Sequence, residues 1–116
     1  MRPSILAAAV ILALGLGFSN ALAQAPDGAA LYRQNCRTCH GLKGTPPRSM
    51  VSVYPTLKAM GDSAFLRTRS VDSIAAVLRH GAGRDMKSFA NRLSSEEITA
   101  VARFVKSLAS DSTRAP

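Results

Sequence analysis

Cys36-Arg37-Thr38-Cys39-His40 is the stretch that most restricts this chain. C-x-x-C-H is the attachment signature for a c-type haem. Two thiols at this spacing suit thioether links to the vinyl groups on one porphyrin edge. The adjacent imidazole then reaches the iron from one face. A redox dithiol would leave His40 unexplained and calls for a βαβ pattern nearby. Half a zinc site would need a second ligand pair, yet the chain has two Cys and two His in all, the other His being His80. The motif therefore predicts one haem c, covalently attached through Cys36 and Cys39, with His40 on the iron.

The first residues read as a targeting segment. Met1-Arg2 is a short basic start, Ile5 to Phe18 is apolar throughout, and Ala21-Leu22-Ala23 offers the small-x-small pattern of a signal-peptidase site. The expected division is a signal peptide over residues 1–23 and one domain over 24–116, with a cut after Ala25 as the alternative. The apolar run falls short of the roughly 20 residues of a membrane span, and an uncleaved anchor is the competing reading. No Cys ends the run, which argues against a lipid anchor. Export to the periplasm agrees with the motif, because bacterial haem attachment follows translocation. In that compartment two spare thiols would be expected to pair. An i, i+3 disulfide would close a tiny loop and constrain little, so the pair makes more sense as a haem tether.

A domain of about 90 residues buries only about 60–65% of its unfolded surface. This chain has no Trp, four Phe and two Tyr to fill a core. A flat apolar cofactor would supply what is missing, and the haem-free chain is expected to be largely unfolded. Loss of the leader lowers the formal net charge from +8 to about +7, Arg2 being its one charged residue. No basic stripe is interleaved with aromatics, so nucleic-acid binding is a poor reading. The positive surface either solubilises the protein or steers it toward a redox partner that is acidic at the contact.

Patterning predicts helices and no strands. Asp27 is a good N-cap for a helix from Gly28 to about Asn35, with Gly28 and Tyr32 on one face. Residues 41–54, with two Gly and adjacent Pro46-Pro47, read as a loop over one haem edge. Asp62 to Arg67 suits one or two helical turns. Ser70 or Asp72 caps a clearer helix with an apolar stripe of Val71, Ile74, Val77 and Leu78, ending at His80-Gly81. Residues 81–92 form a second non-helical stretch. Ser94 and Glu97 then make a capping box, with Leu93 and Ile98 at the staple positions. Ile98, Val101, Ala102, Val105 and Leu108 form the buried face of a last helix, Phe104 lies at its margin, and the tail from about 109 is expected to fray. The architecture is all-α, about four short helices wrapped around one haem.

The second axial position has four candidates: Met50, Met60, Met86 and His80. Met50 and Met60 follow His40 closely and belong to the loop on its own side. Met86 comes after an intervening helix, in a loop free to cover the opposite face. His80 ends a helix, where the helix dipole satisfies a cationic imidazole without any metal. Met86 is the favoured ligand, with His80 its main rival. A thioether raises the reduction potential relative to a second imidazole.

These ordered features resemble a class I mono-haem cytochrome c from Gly28 to Leu108. They are Gly28 and Tyr32, the Cys36–Gly41 motif, Pro55-Thr56-Leu57, Gly81, Met86 and the Leu93-Ser94 opening of the last helix. The resemblance implies that the first and last helices cross near the haem, Gly28 and Tyr32 meeting Val101 and Phe104. It also implies that the Pro55 carbonyl accepts the Nδ1–H of His40 and that Met86 is the axial Met. The family commonly has Met-Pro-x-Phe; here Met86-Lys87-Ser88-Phe89 stands instead. The function so implied is one-electron transfer in the periplasm with no enzymatic turnover. The alternatives are a mono-haem subunit of a larger dehydrogenase or oxidase complex, or a haem peroxidase using His80 as its acid–base group.

Overall fold

The computed structural model describes residues 24–61 and 63–111. The leader reading for residues 1–23, Asp62 and the last five positions of the tail lie outside the described residues. Among the described residues there are six helical segments and no strand. No helix among them is long and apolar enough to cross a membrane.

Helix α1 spans Gly28–Asn35 and starts where expected, because the Asp27 carboxylate accepts the Ala30 N–H at 3.0 Å. Cys36 breaks its regularity at φ −122°, and the chain makes one further turn, α2, over Arg37–His40. Four of the five motif residues, Arg37–His40, are thus helical. The short helix α3, Arg48–Val53, is a correction to the loop expected there. Pro47 leads into it with its extended φ and ψ, whereas the two Gly, the adjacent prolines and the weak periodicity of the stretch pointed to loop.

Helix α4 covers Ser63–Arg67 and α5 covers Val71–His80. Ser70 caps α5 through the Ser73 N–H at 3.0 Å. Of the expected α5 stripe, Ile74 and Leu78 are buried together with Ala75, whereas Val77 is 41% exposed and borders the cavity described below. Helix α6, Ser95–Asp111, runs three residues past the expected end near Leu108. Its capping box forms on both sides: Ser94 N–H donates to Glu97 Oε2 at 2.8 Å, and Glu97 N–H to Ser94 Oγ at 3.2 Å.

Helix α6 is the centre of the fold, packed against α1, α4 and α5. Its whole predicted apolar face, Ile98, Val101, Ala102, Val105 and Leu108, is buried. The α1–α6 crossing is close because Gly28 has no side chain. A Cβ there would stand 2.1 Å from the Ala100 carbonyl oxygen. One turn on, Tyr32 and Phe104 pack with ring centroids 5.1 Å apart and planes at 55°, a favourable tilted geometry. Lys106 fastens α4 to α6. Its ammonium donates to the carbonyls of Leu66, Arg67 and Arg69 at 2.7, 3.2 and 2.5 Å, around and just beyond the end of α4.

Candidate haem site

A cavity of about 470 Å³ opens beside α6, within the range of cofactor pockets. Four segments wall it. The α1–α2 junction brings Tyr32, Cys36, Cys39 and His40; the connection after α3 brings Tyr54, Leu57 and Met60; α4 and α5 bring Phe65, Leu66, Ile74, Val77 and Leu78; and the loop after α5 brings Met86 and Phe89. Val101 and Val105 of α6 form the floor. The buried part of the lining is apolar, and the charged side chains that border the cavity are exposed. Lys58, Arg69, Arg84, Lys87 and Arg92 border it, with Asp85 the one acid.

The residues singled out from the motif meet here. Cys36 is buried and Cys39 exposed, both as free thiols. Burial pushes the Cys36 thiol up to about 11, with the Arg92 guanidinium opposing that rise and Cys39 adding to it. Burial also lowers the pKa of His40, which favours the neutral imidazole that a metal binds. Its Nδ1 is buried with no hydrogen-bond partner. The expected bond to the Pro55 carbonyl is therefore not made.

Of the four candidates for the second axial position, Met86 and Met60 border the cavity; Met50 and His80 do not. His80 is exposed at the end of α5. Among the described residues no group of three or more His, Cys, Asp or Glu is placed to hold a metal ion. What the site does offer is two thiols, one imidazole, the thioethers of Met60 and Met86 and an apolar slot, and this donor set fits a haem.

Three supporting contacts were not anticipated from the sequence. Tyr32 Oη donates to the Gly41 carbonyl at 2.8 Å, tying α1 to the residue after His40. Arg69 lies 3.8 Å above the Phe65 ring and donates to the Phe65 carbonyl at 2.7 Å. Arg92 sits 5.3 Å from the Phe89 ring and donates to Asn35 Oδ1 at 3.4 Å, linking the Met86 loop to α1. Each joins residues distant in sequence or depends on a side-chain direction, and helical spacing reports neither.

Comparison with known proteins agrees with this geometry. Residues 23–105 match the family model described as cytochrome c oxidase, cbb3-type, subunit III. Cytochrome c6 of Microcystis aeruginosa is 37% identical over 79 residues, spanning 68% of this chain and 90% of that protein. Among solved structures, the c-type cytochrome KustC0563 superposes with a TM-score of 0.63 at 28% identity, covering 71% of this chain and 96% of its own. A point mutant of KustC0563 gives 0.62 at 27%, covering 71% and 98%. By fold, motif and kinship, this chain belongs to the class I mono-haem cytochromes c, electron-transfer proteins that carry a covalently attached haem c.

Proposed function

We propose that the protein is a periplasmic one-electron carrier, exported by residues 1–23, with its haem held by Cys36 and Cys39 and its iron between His40 and Met86. One observation carries this reading: Cys36, Cys39, His40 and Met86 border a single apolar cavity although Met86 is far from the others in sequence. The haem supplies the one-electron couple of its iron. The chain supplies the rest. Burial lowers the pKa of His40 and so favours its neutral form, and the apolar walls from α4, α5 and α6 would keep water from the cofactor. His40 and Met86 would both serve as ligands to the bound iron and would leave no open position for a substrate, which is the physical content of a carrier that is not an enzyme. His80, which a peroxidase reading needs as its acid–base group, stands outside the cavity.

The exposed cations that border the cavity support an acidic redox partner, met in a small and short-lived contact. A second reading has the same haem chemistry working inside a larger oxidase or dehydrogenase, and the description of the matching family model favours it. A salt-resistant complex in a native pull-down would select that reading over the free carrier. The test of the ligand set is Met86→Ala. The ferric variant is expected to become high-spin and to bind added imidazole, with a lowered midpoint potential. An unchanged spectrum and potential would remove Met86 from the iron.

A further inference from the structure

The loop that bears Met86 is fastened to α5 through carbonyls that the helix end leaves without partners. Gly81 N–H donates the last helical bond, to the Val77 carbonyl at 2.7 Å, and the next carbonyl, that of Leu78, accepts the Phe89 N–H from the returning loop at 2.8 Å. The carbonyl after these two, that of Arg79, accepts from a side chain, the hydroxyl of Ser88. The same Oγ accepts the Ala90 N–H at 3.2 Å, so Ser88 joins the helix end to the backbone on its far side.

Met86 lies inside this clasp. Ala82 N–H donates to the Met86 carbonyl at 2.8 Å, and Met86 N–H donates back to Ala82 at 3.3 Å. The returning chain lies directly on Gly81. A Cβ at that position, where φ is +79°, would come within 2.5 Å of the Met86 carbonyl oxygen and 3.0 Å of the Ser88 nitrogen. The residue after Met86 is Lys87, whose φ is unrestrained by any ring, so local chemistry does not stiffen the chain there.

We propose that Ser88 is a positioning residue for Met86: its hydroxyl holds the chain that follows the thioether to the end of α5 and so keeps the loop closed over the haem cavity. The inference rests on Met86 being an iron ligand. Ser88 is itself exposed and does not border the cavity, so its effect is exerted through the backbone.

The test uses the ferric holoprotein and added imidazole, which enters when the Met86 loop opens. Ser88→Ala is expected to speed imidazole binding about tenfold and to weaken the thioether-to-iron charge-transfer band, the scale of losing one or two hydrogen bonds. Ser88→Thr keeps the hydroxyl and should return the rate to near that of the wild type. Ser88→Ala added to Met86→Ala should be no faster than Met86→Ala alone, because the loop then has nothing to hold on the iron. A role confined to global stability would lower the denaturant midpoint and leave imidazole entry unchanged. That result, with Met86→Ala still accelerating entry, overturns the role of Ser88 alone. If Met86→Ala does not alter imidazole entry, the ligand reading falls and takes the inference with it.

Discussion

Tyr32 combines the two kinds of contact that hold this site together. Its ring is fully buried against Phe104, and its hydroxyl is committed to the carbonyl of Gly41, next to His40. Burial raises the pKa of that hydroxyl above the usual tyrosine value, which further favours the protonated, donating form. Tyr32→Phe keeps the ring and leaves a buried carbonyl without its donor, so a loss of about 1–2 kcal/mol is expected in denaturant unfolding of the holoprotein. A change below a few tenths of a kcal/mol would mean that water replaces the hydroxyl. Legibility at this scale was uneven. Cys36, Cys39 and His40 were readable because their chemistry requires adjacency in sequence. The Pro55 bond to His40 was expected by resemblance and is not made, for it depends on a ring orientation that no spacing encodes. The hydrogen bonds of Ser88 and Lys106, nine and 40 residues along the chain, were invisible because ordinary polar side chains carry no sign of which carbonyl they will meet.

At the scale of elements, end signals decided what could be read. Asp27 fixed the start of α1, and the Ser94–Glu97 box fixed that of α6, because capping is local chemistry. The one-turn helix α3 has no capping side chain and little apolar periodicity, so it passed as loop. The crossing of α1 and α6 was anticipated from the family resemblance, which sets Gly28 and Tyr32 against Val101 and Phe104, and it yields a sharp prediction. Replacing Gly by Ala inside a helix ordinarily stabilises it by up to about 1 kcal/mol. At Gly28 the added Cβ would sit 2.1 Å from a backbone oxygen that no rotamer change can move. The two helices must separate, at an expected overpacking cost of about 1–3 kcal/mol, and the steric effect wins. Thermal unfolding of Gly28→Ala should therefore show a lower Tm; an unchanged or higher Tm would contradict the close crossing.

Taken whole, the molecule is one long helix with three others laid on it and a cofactor slot between them, bordered by exposed cations. Small size and scarce aromatics become intelligible, since the haem completes the core. The distribution of charge has a kinetic consequence. Raising ionic strength from about 0.01 to 0.1 M shortens the Debye length from about 30 to 10 Å. Electron transfer with an acidic redox protein should slow about tenfold over that range in stopped-flow mixing. A rate that stays flat or rises would mean that the cations only solubilise. The central claim is that one haem c has its iron closed between imidazole and thioether. Absorption spectra of the ferric and ferrous protein, purified from cells that export and mature cytochromes, test it most directly. The account predicts a low-spin c-type spectrum in both states with a thioether band in the ferric form; a colourless protein, or a high-spin iron that binds added ligands freely, would contradict it.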